Sequence, residues 1–349
     1  MMTQVKKIHI GIVCDQFGNF NRGGAEVQVD NTVNALNKIE GITTEIINSQ
    51  TTNLERFDII HFFKSSISYY FNTELLKKKG IPYVISTIFY PENGYSEIFK
   101  YKFLHNFPVI NKLSVTKLLY GVWENATILF PNTDKELKFL RDIGVKTSAR
   151  IIPNGLNLDE MNLANENAFY NTYPFLKDRK FVLNVGRIDS RKNQKRLVLA
   201  CKELDLPVVL IGNNLDKASF DEIQEINYEK MYYLGTVFDK RILFGAYKTC
   251  SVFCLPSTME TPGIAAMEAA YFDKPIVITK YGGTEYYFKD KAYYVDWRSI
   301  EEIKKGIDIM IKKKSVDTQE LMGQYSWDKI AEMYVEEYTK IMNSKCHTI

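Results

Sequence analysis

The sequence predicts an α/β protein built from two Rossmann-like domains, each a doubly wound parallel sheet. Three observations predict it. Short apolar runs of strand length alternate with segments of helical periodicity along most of the chain. The alternation lapses between Ile151 and Lys180 and then starts again. The 349 residues suit two domains better than one.

The first run, Ile8-His9-Ile10-Gly11-Ile12-Val13-Cys14, has the composition of a buried strand. A polar, glycine-rich loop from Asp15 to Gly24 follows, and then Val29, Val33 and Leu36 recur at helical spacing. Further strands are expected at Ile42 to Ile47, Asp58 to Phe62, Tyr83 to Ile88 and Thr127 to Phe130. Pro153-Asn154-Gly155 is a turn signal, and the Asn-rich segment after it reads as a linker. The second series has strands at Phe181 to Val185, Pro207 to Ile211, Met231 to Leu234, Val252 to Leu255, Pro275 to Thr279 and Ala292 to Val295. Leu197, Ala200, Cys201 and Leu204 mark one of the intervening helices. In the last segment, Ile330, Met333, Tyr334, Tyr338 and Ile341 share one helical face, which closes the second domain or reaches back to the first. The expected division is a first domain over 1–155, a linker over 156–179, a second domain over 180–325 and a terminal helix over 326–349. In such sheets ligands bind beyond the carboxyl ends of the strands.

Composition narrows the function. Lysine and arginine total 45 against 42 acidic residues, a net charge of +3 that marks no nucleic-acid binder. The five cysteines are an odd number and four lie in apolar runs, so they read as reduced core residues of a cytoplasmic protein. No signal peptide and no stretch of bilayer-spanning length is expected.

The chemistry concentrates in two stretches. In Leu255 to Tyr271, Thr261 reads as an N-cap and Pro262 as the first helical residue, which puts Glu260 in the loop and Glu268 on the helix. Every residue from Ile264 to Phe272 except Glu268 is apolar, so this carboxylate needs a polar partner or a raised pKa. Glu260 reads either as a binding group or as a helix-start carboxylate favoured by the dipole. The second stretch, Val185-Gly186-Arg187-Ile188-Asp189-Ser190-Arg191-Lys192-Asn193, leaves a buried strand directly. Arg187 and Lys192 are placed to meet an anion there, and the alternative is a solvated basic turn with Arg191, Lys195 and Arg196.

Taken in order, Gly23-Gly24-Ala25-Glu26, Pro153-Asn154-Gly155, Gly186-Arg187 with Lys192, Leu234-Gly235-Thr236-Val237, Pro256-Ser257, Glu260 to Glu268 and Gly282-Gly283-Thr284-Glu285 resemble the retaining glycosyltransferases of family 4, glycosyl transferases group 1. The resemblance implies the GT-B fold, two Rossmann-like domains facing each other across a cleft, the N-terminal one binding acceptor and the C-terminal one the nucleotide sugar. It implies retaining, metal-independent transfer of a hexose-type sugar from a nucleoside-diphosphate sugar such as a UDP-sugar. The receiving hydroxyl would belong to a glycan, lipid-linked or protein acceptor, in cell-surface glycan, glycolipid or glycoprotein assembly. By the same resemblance Glu268 takes the ribose hydroxyls, Glu260 the donor sugar, and Arg187 and Lys192 the diphosphate. Thr261, Pro262, Gly263 and Ile264 contribute to donor binding through the helix start, Val237 flanks the base, and Gly23 and Gly24 form an acceptor or donor-phosphate loop. No cofactor beyond the co-substrate is implied.

No Asp-x-Asp occurs, so a metal-clamped nucleotide-sugar site has no candidate ligands, and no Gly-x-Gly-x-x-Gly follows the first strand. Many relatives carry a histidine after the fourth strand of the first domain, where this chain reads Ser86-Thr87-Ile88-Phe89-Tyr90-Pro91. His61 faces the ligand side or is a core histidine. The missing histidine keeps open a second reading, a non-catalytic paralogue acting as a binding or chaperone subunit of an active transferase. Phe99 to Leu104, with Lys112 and Lys117, reads as a peripheral contact with the inner face of a membrane or as a helix with one core face and one basic face.

Overall fold

The structure, a computed structural model, describes residues 7–14, 24–48, 51, 53–90, 100–103 and 115–346. The chain forms two compact units, Met1–Gly155 with Trp327–Ile349, and Leu156–Ser326. Each is a parallel sheet flanked by helices, as the alternation predicts.

The first unit has strands β1 (Ile8–Val13), β2 (Ile42–Ile46), β3 (Ile59–Phe63), β4 (Tyr83–Ser86) and β5 (Ile128–Phe130) in the order β2-β1-β3-β4-β5. Its helices begin with α1 (Gly24–Leu36), α2 (Tyr70–Lys78), α3 (Val115–Glu124) and α4 (Asp134–Asp142). The strands are near-continuous apolar runs because helices cover both faces of a parallel sheet. All five residues of β3 are buried, including His61.

The second unit has β6 (Val182–Val185), β7 (Val208–Ile211), β8 (Met231–Tyr233), β9 (Val252–Leu255), β10 (Ile276–Thr279) and β11 (Ala292–Val295) in the order β11-β10-β9-β6-β7-β8. Its helices are α5 (Leu158–Met161), α6 (Glu166–Thr172), α7 (Gln194–Glu203), α8 (Lys217–Gln224), α9 (Lys240–Thr249), α10 (Ile264–Tyr271), α11 (Thr284–Phe288), α12 (Ile300–Met310) and α13 (Gln319–Gly323). Residues 156–179, read from the sequence as a linker, fold as part of this unit. Asn157 and Asn165 cap α5 and α6 with their side chains, which is why an Asn-rich segment makes short helices. Phe169 of α6 is fully buried, and Asn165 O lies close against Gly245 of α9, where an added Cβ would stand 2.5 Å from it.

Where the chain leaves and returns, Leu156 N–H donates to Tyr325 O at 2.6 Å. On the other side of that crossing Gly155 packs on Trp327, whose ring would stand 2.5 Å from an added Cβ. The terminal helix α14 (Trp327–Cys346) belongs to the first unit and buries Ile330, Tyr334 and Tyr338 against its sheet. A polar seam runs through that contact. His61 Nδ1 pairs with Tyr338 Oη at 2.7 Å and Nε2 with Ser86 Oγ at 2.9 Å, while Ser86 Oγ meets Tyr334 Oη at 2.9 Å. Burial pushes His61 down to about 3, so it is a neutral core histidine with both ring nitrogens satisfied.

A second buried polar group organises the ends of β4 and β5. Glu136 on α4 is fully buried, and its Oε1 accepts from Thr87 Oγ1 at 2.5 Å and Phe89 N–H at 2.8 Å. Its Oε2 accepts from Asn132 N–H at 2.8 Å. The first two bonds hold Thr87 to Phe89 through a bend at Ile88, a β-branched residue at φ +41° and therefore strained. This is the stretch where the resemblance leads one to look for a histidine. No cation pairs with Glu136 among the described residues, and burial raises it to about 7 against the pull of its donors.

A carboxyl with a folded pKa above its unfolded value binds its proton more tightly in the native state. Its stabilisation is complete below the unfolded value of 4.5 and is lost as pH rises through about 7, a change of about 3 kcal/mol at 1.36 kcal/mol per unit. His61 runs the opposite way between about 3 and 6.5, gaining stability as pH rises, so the two oppose each other through the acidic range. Glu136→Gln isolates the carboxyl. The unfolding free energy of wild type minus that of Glu136→Gln, from urea melts, should fall by up to about 3 kcal/mol between pH 4.5 and 7.5; a difference independent of pH would contradict the assignment.

Candidate active site

In the second sheet the strand order reverses beside β6, with β7 and β8 on one side and β9 to β11 on the other. Loops leaving β6 and β9 therefore diverge and open a crevice at their carboxyl ends. Both stretches singled out in the sequence are these loops.

The loop after β6 is set by its own polar groups. Lys192 N–H donates to Asp189 Oδ1 at 2.9 Å and so closes the turn from Asp189 to Lys192. Gln194 Nε2 donates to Arg187 O at 2.8 Å. Asn193 stands at the start of α7 in the left-handed region, φ +58°, which an asparagine tolerates better than most residues. Its Nδ2 donates to Pro256 O at 2.9 Å and to Trp297 O at 2.8 Å, while Thr258 N–H donates to Arg191 O at 2.8 Å. The two crevice loops are thus bonded to each other.

The start of α10 differs from the sequence reading. Thr261 is not the N-cap and Pro262 is not helical, because Gly263 takes a left-handed conformation, φ +77° and ψ +68°, and the helix begins at Ile264. Glycine is favoured there by φ. Gly263 O accepts from Ala266 N–H at 2.8 Å and Met267 N–H at 3.1 Å. Thr261 is half-buried, Pro262 buried, and both lie in the approach to the helix. Glu260 precedes them, pinned by Gly283 N–H, which donates to its carbonyl at 2.9 Å. Gly282 permits this contact, since φ is +94° and an added Cβ would sit 2.1 Å from Glu260 O.

The crevice holds an ion pair. Lys192 Nζ donates to Glu260 Oε1 at 2.5 Å, with the two side chains 23% and 10% exposed. Arg187 Nη2 lies 3.6 Å from Asp189 Oδ2 and is half exposed. Arg187, Lys192 and Glu260 are thus gathered by the two loops, with a cation and a carboxylate in direct contact.

Glu268 is half-buried on α10, and its partner within the protein is Tyr247 of α9, whose Oη donates to Oε2 at 2.6 Å. Burial raises the Glu268 pKa, while the Tyr247 hydrogen bond and the Lys240 charge lower it. Sequence reasoning asked for a partner and missed this one, since Tyr247 follows Phe244, Gly245 and Ala246 and reads as core.

At the ends of β7 and β8, Gly212 N–H donates to Gly235 O at 2.8 Å, and Gly186 N–H to Ile211 O at 2.9 Å. Gly212 has φ +148° and an added Cβ would meet Gly186 O at 2.0 Å, so three strand-end glycines are in register. Val237 follows, half-buried, on the β8 side of the crevice.

In the first unit Gly23 lies outside the described residues, and Gly24 is the first residue of α1. Of Phe99 to Leu104, Tyr101 packs on Phe89 and Phe139, while Lys100, Lys102 and Phe103 are exposed; Phe99, Leu104 and Lys112 lie outside the described residues. No helix among the described residues is long and apolar enough to cross a membrane, and none of their His, Cys, Asp and Glu side chains cluster in threes that could hold a metal.

Two uncharacterized glycosyltransferases of Methanocaldococcus jannaschii are similar to the chain. One is 26% identical over 211 residues, 54% of this chain and 53% of that protein. The other is 27% identical over 291 residues, 75% of this chain and 76% of that protein. Against the first, then, the match spans about half the relative's length. Among solved structures, a sucrose-phosphate synthase of Thermosynechococcus elongatus superposes with a TM-score of 0.73 at 16% identity, covering 97% of this chain and 100% of that one. Anabaena HepE in complex with UDP superposes with a TM-score of 0.70 at 15% identity, covering 95% and 100%. The fold is the GT-B fold of glycosyltransferases, and residues 167–328, which contain the whole crevice described above, match the family model "Glycosyl transferases group 1".

Proposed function

We propose that the chain is a retaining glycosyltransferase that moves a hexose-type sugar from a nucleoside diphosphate to an acceptor hydroxyl, using no metal. The observation that carries this reading is the Lys192–Glu260 pair, held by bonded loops at the reversal of strand order inside the family-matched segment.

Each charged group has a task that its position suits. Arg187 and Lys192 bind the diphosphate and stabilise it as the leaving group. At an effective dielectric near 20, one contact pair of unit charges at 4 Å is worth about 4 kcal/mol. In the free protein Lys192 is neutralised by Glu260, so an incoming diphosphate competes for the ammonium and frees a carboxylate oxygen for a sugar hydroxyl to donate to. The pair keeps both groups oriented before substrate arrives, which lowers reorganisation at the reacting centre. Glu268 accepts from the ribose hydroxyls, the start of α10 around Gly263 and Ile264 offers backbone N–H donors, and the backbone at Val237 flanks the base. Gly23 and Gly24 serve as an acceptor or donor-phosphate loop, and the first unit takes a glycan, lipid-linked or protein acceptor at a peripheral or cytoplasmic location. The bond to the leaving phosphate breaks while the acceptor oxygen bonds to the same face of the sugar carbon, and a phosphate oxygen takes the acceptor's proton.

The test is release of nucleoside diphosphate from a panel of nucleotide sugars, followed by hydrolysis without acceptor. Release from at least one donor is expected; neither release nor binding of any would favour a non-catalytic paralogue. With that donor, Glu268→Gln should weaken nucleotide binding about tenfold or more, the scale of a hydrogen bond to a charged group. Lys192→Ala should instead lower turnover by roughly a hundredfold with a smaller change in affinity. Wild-type turnover and affinity in both variants would overturn the site.

A further inference from the structure

We propose that Tyr247 is a positioning residue for nucleoside recognition, its hydroxyl fixing the Glu268 carboxylate so that the remaining oxygen, Oε1, meets the ribose hydroxyls. The inference rests on the donor-site reading above.

Tyr247 is fully buried on α9, with its ring packed at 5.6 Å between centroids from Phe253 of β9 and 6.3 Å from Phe244. A buried phenol must place its hydroxyl, and Glu268 Oε2 at 2.6 Å is the partner it has. Burial holds the phenol well above its ordinary range, so Tyr247 keeps its proton and donates it to the ionised Glu268. Glu268 Oε1 has no hydrogen-bond partner among the described residues. A carboxylate with one oxygen pinned by a rigid neutral donor keeps its rotamer and presents the other oxygen in a fixed direction. That is the requirement for discriminating a ribose from its deoxy analogue, because the lost hydroxyl then leaves an acceptor unpaired.

The same bond bears on the charge of Glu268. Burial disfavours the carboxylate, whereas the Tyr247 hydroxyl and, at longer range, Lys240 favour it. The other ionisable group acting on it is Glu160 on α5, which pairs with Lys240 at 3.1 Å, while the thiol of Cys250 beyond α9 lies near Tyr247 and is held protonated by burial. On α13 the titratable residue is Glu320, which is exposed, and β10 carries none. Tyr247 is the direct hydrogen-bond donor in this set. Removing its hydroxyl leaves burial less opposed, so Glu268 takes up a proton at higher pH.

The experiment titrates wild type and Tyr247→Phe with UDP, GDP and ADP and with their 2′-deoxyribose analogues by calorimetry from pH 5.5 to 8. For the tightest nucleotide, wild type should prefer ribose over deoxyribose by roughly tenfold. Tyr247→Phe should cut that preference to about threefold or less, and should move the pH at which it is lost upward. In a Glu268→Gln background the same change should have no further effect on the ratio. A thermal melt checks the fold of the Phe variant. Should it fail to fold, 3-fluorotyrosine placed at position 247, a stronger donor of nearly the same shape, should move the pH midpoint downward. An unchanged ratio and an unchanged pH profile overturn the inference while leaving the donor site standing. No binding of any nucleotide by wild type overturns the donor-site reading, and this inference with it.

Discussion

The reversal of strand order beside β6 is the constraint on which the rest of the site depends. In a parallel sheet each strand delivers its loop to the same edge, and successive loops normally lean the same way. Where the order reverses they lean apart, and the crevice between the β6 and β9 loops follows from topology alone. The residues in those loops then need only be those that survive at the mouth of a crevice. Lys192 and Glu260 meet there because Asn193 and Thr258 bond one loop to the other.

Holding that edge together calls for unusual backbone. Gly212, Gly263 and Gly282 adopt positive φ, and at Gly212 and Gly282 a Cβ would also collide with a carbonyl. Asn193 adopts the left-handed region without being glycine and recovers the cost through two hydrogen bonds from its side chain. The first unit shows the same logic without a charged pair. A bend at Ile88 is sustained by a buried carboxylate that takes three hydrogen bonds, so the end of β4 is shaped by Glu136 rather than by a histidine.

Strand positions could be read from the chain because both sheets are buried on two faces. Runs such as Val208–Ile211 and Ile276–Thr279 have no other stable home, and their order along the chain implied parallel pairing. The two candidate loops drew notice in the sequence because Glu268 interrupts an apolar helix and because two cations follow a strand end. What stayed hidden depended on tertiary contact. Thr261-Pro262 carries a strong helix-start signal, yet the turn at Gly263 delays the helix, and local cap preferences cannot register that tertiary turn. Tyr247 is chemically a core aromatic until α9 is laid against α10. The segment 156–179 lost its periodicity in the sequence because its helices are too short to display one, although Phe169 and Leu176 are fully buried.

The central claim is that a nucleoside diphosphate sugar sits in the crevice between the β6 and β9 loops. Hydrogen exchange with and without a saturating donor tests it most directly. The account predicts slowed exchange in 186–193 and 256–268, with 300–310 of the same unit unaffected. Exchange that is unchanged in both loops, for every nucleotide sugar that the protein binds, would contradict it.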